Sequence, residues 1–232
     1  MPFKRYPHIL YYLKMENTNK DYNIQFKREA QERGFIVLNK KHLKEAAEIC
    51  TNAFEGYPLY LYFKPKYNYK DWYELRLVTL KTLYKQSVIL TDANRNSCLL
   101  ILCNNFKGVK KSKYFLHGEW KAKRLLGKEA MKKIYDFEKF VADIRKKHTN
   151  YNSIYVFEIA VKKKYQGAGI AFQYSKFIKE FCDKYKRDVY FETHTDTHVS
   201  MYKRLGYELV DQQIIPGSKD VINYCFMYKP KK

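Results

Sequence analysis

The chain has 232 residues and is short of cysteine pairs, glycine, proline, acidic side chains and long apolar runs. Cys50, Cys98, Cys103, Cys182 and Cys225 make an odd five, scattered and without the close spacing of a zinc ribbon. They read as free, mostly buried thiols rather than a disulfide framework. His194 and His198 could share a helix face, but Asp196 and Thr197 between them read as a helix start, so no metal site is expected. No apolar run approaches the roughly 18–20 residues that span a bilayer. The N-terminal apolar stretch is short, tyrosine-rich and lacks a small-residue cleavage site behind it. The expectation is a cytoplasmic protein with no membrane partner. Internal repeats and low-complexity linkers are also lacking.

Acidic residues are the minority, 24 against 45 Lys and Arg, which gives a formal net charge of +21. A phosphate-rich partner would exploit such a field. Lys, Asn, Tyr, Ile and Phe are all abundant, however, as AT-rich coding would produce, and the lysines are dispersed. That distribution argues against a nucleic-acid-binding face. Lys162, Lys163 and Lys164 form a local exception. With 46% hydrophobic and 17% aromatic residues the chain is not disordered. Its length suits one large domain, or one domain with a helical elaboration.

Periodicity predicts alternating elements. A helix over 21–33 opens the readable part, and Phe35–Leu38 reads as a short strand. A helix over 41–54 follows, with Leu43, Ala46, Ala47, Ile49, Cys50 and Phe54 at helical spacing. Gly56 and Pro58 break it, leaving the aromatic segment Tyr57–Phe63 before Pro65. A helix over 69–86 precedes two strands, 87–90 and 97–103, joined by the turn residues Asn94-Arg-Asn96 as an antiparallel hairpin. Residues 104–150 interrupt the strands and carry a helix over about 128–148. The remainder reads as a strand over 155–161, a helix to about Tyr185, a strand over 188–193, a short helix through Leu205, and strands over 207–210 and 221–228.

The chemistry concentrates after Tyr155-Val-Phe-Glu-Ile-Ala-Val161, where Lys-Lys-Lys-Tyr-Gln166-Gly-Ala-Gly-Ile-Ala171 leads into an amphipathic helix. The first amides of a helix have no intrahelical partners and lie at the positive end of its dipole, so a glycine turn there can bind a phosphate. The same residues also suit an ordinary strand-to-helix connection, with Gly167 and Gly169 serving backbone conformation alone. A dinucleotide-binding Rossmann turn needs a third glycine where Phe172 stands. A kinase-type phosphate loop needs a Gly-Lys-Ser/Thr end that is missing.

Gln166-Gly-Ala-Gly169-Ile-Ala171 resembles the Arg/Gln-x-x-Gly-x-Gly/Ala turn of the GNAT acyltransferase superfamily. Val189-Tyr-Phe-Glu-Thr193 resembles that family's fifth strand, and Val199-Ser-Met-Tyr202-Lys-Arg-Leu-Gly206-Tyr207 its following helix and turn. Ala46–Phe54 with Pro58, Phe191-Glu192-Thr193 and Pro216-Gly217 resemble the puromycin N-acetyltransferase-like subgroup. The resemblance covers about 153–210, with weaker echoes on both sides. It implies an α/β (α+β) fold whose mixed, mainly antiparallel sheet is flanked by helices and splayed between strands 4 and 5. Residues 1–33 would be an N-terminal extension, and 34–232 one acetyltransferase domain with a helical insertion at about 104–150.

The resemblance further implies an N-acetyltransferase that moves an acetyl group from acetyl-CoA to an amine by direct attack. The pantetheine arm would run along Ile159, Ala160 and Val161, with an oxyanion donor among their amides. The pyrophosphate would lie on Gln166, Gly167, Ala168, Gly169, Ile170 and Ala171. His198 stands where many members have an asparagine near the cofactor. Tyr202 would protonate the departing thiolate. For the base, Glu158 and Glu192 are equal candidates, and a water chain to bulk is a third route. Strand alternation turns Glu158 away from Ile159 and Val161; members commonly carry the acid earlier, beside a bulge, where Phe157 and Tyr155 stand here. The acceptor would be a small-molecule or peptide amine met by Tyr57–Tyr67 and the insertion. A non-catalytic acyl-CoA-binding sensor and a basic nucleic-acid-binding protein are the alternatives. The last strand, if exposed, could join a homodimer.

Overall fold

A computed structural model describes residues 21–231; the first 20 residues of the expected N-terminal extension lie outside the described residues. Seven strands form one sheet: β1 (Ile36–Val37), β2 (Val88–Thr91), β3 (Ser97–Leu102), β4 (Ile154–Val161), β5 (Val189–Thr193), β6 (Glu208–Ile214) and β7 (Ile222–Tyr228). Their spatial order is β1-β2-β3-β4-β5-β7-β6. All neighbours are antiparallel except β4 and β5. The last strand is therefore interior, paired on both edges, and cannot donate an edge to a dimer as its position in the sequence suggests. The edge is β6.

Nine helices are described: α1 (Tyr22–Glu32), α2 (Leu43–Ala53), α3 (Pro58–Phe63), α4 (Tyr69–Leu83), α5 (Lys111–Leu116), α6 (Glu119–Leu126), α7 (Lys128–Thr149), α8 (Ile170–Tyr185) and α9 (Asp196–Arg204). The aromatic segment after Gly56 is helical because Pro58 occupies the first helical position, where its missing N–H costs nothing. The helix α1 starts at Asp21, whose side chain accepts from the amides of Asn23 and Ile24. It is not an appendage: Phe26 and Ala30 are fully buried in the same cluster as Phe177 and Phe181 of α8.

The core has three parts. One sheet face packs on α1 and α8. The other takes Leu43, Ala46 and Ile49 of α2 with Leu77, Leu80 and Leu83 of α4. A third cluster joins α3, Trp72 of α4, and Ala122, Met131 and Ile134 of α6 and α7. The interrupting residues 104–150 thus cover the second sheet face beside the middle strands. Lys147 and His148 at the end of α7 both bond the Asp211 carboxylate of β6, at 3.3 and 2.8 Å.

Two irregularities in β4 position the site. Its pairing with β5 is confined to Ile154↔Val189 and Tyr155↔Tyr190, so from Val156 onward the two parallel strands separate. Its pairing with β3 skips Phe157: Glu158 faces Leu100 while Val156 faces Ile101. That bulge puts Phe157 and Glu158 on the same side as Tyr155, toward α4 and α7.

Candidate active site

The separation of β4 from β5 opens two cavities. One, of about 630 Å³, is walled by the residues after Ala53, by Ile159 and Val161 of β4, by the glycine turn, and by one side of α9. The other, of about 200 Å³, lies toward α3, α4 and α7 and is walled largely by aromatic rings. Phe54, Tyr57, Ile159, His198 and Tyr202 border both, so the cavities meet in the gap between the strands.

The glycine turn shapes the larger cavity. Gly167 and Gly169 have φ of +86° and +81°, a region that favours glycine, and a side chain at either would meet nothing within 4 Å. Gly169 is the N-cap of α8 and supplies no side-chain oxygen to it. Among the described residues, the amides of Gly167, Gly169, Ile170, Ala171 and Phe172 have no hydrogen-bond partner. The side chain of Gln166 donates through Nε2 to the Val161 carbonyl at 3.0 Å, tying the turn to the end of β4. Ala168 differs: its amide is given to Tyr165, and it does not line the cavity. Ala160 also lies off the wall, buried on the opposite sheet face. Ile159, Val161, Gln166, Gly167, Gly169, Ile170, Ala171 and His198 all line it. Free amides at the head of a 16-residue helix suit a diphosphate.

Acids and polar groups gather in the smaller cavity. Glu158 is buried and accepts an ion pair through Oε2 from Nη1 of Arg76 at 2.7 Å. The Arg76 guanidinium also lies over the rings of Tyr60 and Phe54, at 4.9 and 5.5 Å. Glu192 of β5 is set otherwise. Burial pushes its carboxyl up to about 7, against the opposing pull of the nearby Arg145 cation and the Tyr155 and Tyr190 hydroxyls. Its Oε1 is buried and has no partner among the described residues. Both acids face the smaller cavity, and of the two only Glu192 is free of a direct ion pair.

A hydrogen-bond chain runs along the gap. Tyr57 accepts from the His194 amide at 2.9 Å and lies 3.3 Å from the Thr193 hydroxyl, which contacts His198 Nδ1 at 2.9 Å. His194 Nε2 sits 2.9 Å from Asn223 Oδ1, and burial lowers its pKa to about 4. His198 is lowered too, again by burial. The two histidines do not share a helix face, since α9 begins at Asp196 with Thr195 as its cap. No cluster of three metal-ligating side chains occurs among the described residues. Tyr202 packs against Phe191 with ring centroids 4.5 Å apart and the rings tilted by 59°, and burial holds its phenol well above the usual tyrosine range.

Arg76 belongs to no short motif and sequence reasoning misses it; that reasoning weighs His194 only as a metal ligand and places Tyr57 only in the aromatic segment that meets the acceptor. Arg76 did leave a trace. It stands four residues from Trp72 and four from Leu80, a charge inside the apolar stripe of α4.

A mixed sheet that parts between two parallel middle strands, with a glycine turn and helix at the opening, is a known arrangement. Residues 113–224 match the family described as "Acetyltransferase (GNAT) domain". The chain has the GNAT fold. It is similar in structure to the histone acetyltransferase HPA2 and related acetyltransferase from Corynebacterium glutamicum, at TM-score 0.61 and 13% identity, covering 85% of this chain and 96% of that one. The C-terminal condensation domain of Ebony, solved with beta-alanyl-dopamine, superposes at TM-score 0.60 and 11% identity over 84% and 97% of the two chains. The polyamine N-acetyltransferase of Drosophila melanogaster does so at TM-score 0.55 and 12% identity, over 84% and 99%. Identities this low establish the shared GNAT fold and nothing finer. Among curated proteins, no sequence matches.

Proposed function

We propose that the protein is an N-acetyltransferase that moves an acetyl group from acetyl-CoA to a primary amine in a ternary complex. The observation that carries this reading is the junction of the two cavities at the gap between β4 and β5. One cavity has the free amides for a diphosphate; the other has a carboxylate for an ammonium. The matched GNAT domain supplies the reaction class.

Acetyl-CoA is the acyl donor. The amides of Gly167 and Gly169–Phe172 would hold its pyrophosphate, and the unpaired edge of β4 from Val156 to Val161 would take its extended arm as a further strand. The backbone N–H groups of that edge are also the simplest donors to the tetrahedral oxyanion.

Proton handling divides between two side chains. Glu192, with its carboxyl near neutrality, takes the first proton of the ammonium and frees the nitrogen lone pair to attack the thioester carbon. The tetrahedral adduct collapses by breaking the C–S bond. Tyr202, kept protonated by burial, passes its proton to the leaving thiolate. The second proton, lost as the nitrogen becomes an amide, replaces it. Glu158 serves as the counter-charge of Arg76 and shapes the acceptor wall.

Among the described residues no helix is long and apolar enough to cross a membrane. All five cysteines are free and buried, which fits a reducing, cytoplasmic setting. The puromycin-like echo in α2 is consistent with a small acceptor. Titrating the protein with acetyl-CoA by calorimetry tests the proposal. Saturable one-to-one binding in the micromolar range, lost at high salt, is expected; absence of binding overturns it.

A further inference from the structure

Resting on the acetyltransferase reading, we infer that the acceptor is a compact monoamine with an aromatic or bulky apolar body, entering ammonium first toward Glu192. Neither a polyamine nor a peptide suits the site. Size sets the first limit. A cavity of about 200 Å³ is below the usual range of drug-sized sites, roughly 300–1,000 Å³, and holds a body of about one ring with a short side chain.

The walls set the second limit. Tyr57, Tyr60, Phe63 and Trp72 come from α3, α4 and the turn before them, Phe137 of α7 packs edge-on against Phe63 at 5.5 Å, and Phe157 of the bulge completes the lining. Tyr60 and Trp72 stack at 4.5 Å, so the wall is a set of packed rings with little room to rearrange. Such walls accept an apolar body, and apart from the single carboxylate of Glu138 they offer nothing to a second ammonium along a chain, which would lose its hydration against the rings. A peptide backbone meets the same obstacle at every amide.

Charge sets the third. The one cationic side chain lining the cavity, Arg76, is already neutralised by Glu158, so it does not repel an incoming ammonium. The carboxylate of Glu192 has a buried, unpartnered oxygen and no direct ion pair. It is the counter-charge the cavity leaves open. Glu138 of α7 lines the same cavity as a second acid without an ion pair among the described residues; although much of the residue is exposed, burial of its carboxyl and the nearby Glu119 push it up to about 7 as well. The insertion at 104–150 is thereby a specificity element, because α7 supplies both Phe137 and Glu138.

The test is a comparison of thiol release from acetyl-CoA with 2-phenylethylamine, spermidine and a hexapeptide bearing a free N-terminus. The expected kcat/KM for 2-phenylethylamine exceeds each of the others by about 100-fold. Phe137→Ala should shift the preference toward 2-(1-naphthyl)ethylamine by about tenfold while leaving acetyl-CoA affinity unchanged. Faster turnover of spermidine or the peptide overturns the inference and leaves the acetyltransferase reading standing. No turnover of any amine, together with no acetyl-CoA binding, overturns both.

Discussion

Arg76 and Glu158 form an ion pair at 2.7 Å on the wall of the smaller cavity, with side chains 15% and 5% exposed. Each is held by a different sheet-facing element, α4 and the bulged stretch of β4, so the pair also staples helix to strand. Glu158→Gln removes the negative partner and leaves the guanidinium buried. Unfolding in denaturant should show a loss of about 3 kcal/mol, partly recovered when Arg76→Met is combined with Glu158→Leu. The pH limb of activity should survive in Glu158→Gln, because the pair is a structural counter-charge.

Glu192 is the group expected to set that limb. With a carboxyl raised to about 7, kcat/KM should rise with pH through that value, and Glu192→Gln should lower kcat by about 10²–10⁴-fold and abolish the rise. Stability moves the opposite way. A carboxyl raised above its unfolded value of 4.5 is stabilising in its protonated form, an effect fully present below that value and lost as pH rises through about 7. Thermal melts at about pH 5 and about pH 8 should therefore converge in Glu192→Gln relative to the parent protein.

Tyr202→Phe keeps the ring that packs on Phe191 and removes only the hydroxyl. Turnover should fall by about 10–100-fold, with the dissociation constant of acetyl-CoA within about twofold of the parent. An equal loss in affinity would mean that the hydroxyl holds the donor rather than assisting the leaving sulfur.

Much of this arrangement is legible in the sequence, and the parts that are not share a cause. The elements around the glycine turn are local: an apolar run, positive-φ glycines and a helical stripe each declare themselves within a few residues, and α8 ends at Tyr185 as its periodicity predicts. The β4 bulge is not local. It exists only relative to β3, and it decides that Glu158 points toward the smaller cavity. The choice between Glu158 and Glu192 likewise depends on Arg76, 82 positions before Glu158, which no spacing rule connects to it. The interior place of β7 and the aromatic helix α3 are further products of long-range pairing and packing.

Gly169→Ala asks an L-residue to adopt φ of +81° where there is space for a methyl group but not a relaxed backbone. The strain is about 1–2 kcal/mol. If the turn relaxes to avoid it, the free amides at the head of α8 lose their convergence, and acetyl-CoA affinity should fall about tenfold with a smaller change in melting temperature. Unchanged affinity would remove the turn from the donor site.

The most direct measurement follows both products in one reaction: free thiol by a colorimetric reagent and N-acetyl-2-phenylethylamine by mass spectrometry, from acetyl-CoA and the amine. The expected result is one acetylated amine per thiol released, at a rate that Glu192→Gln and Tyr202→Phe both lower. Thiol release without acetylated amine, or rates unaffected by either substitution, would contradict it.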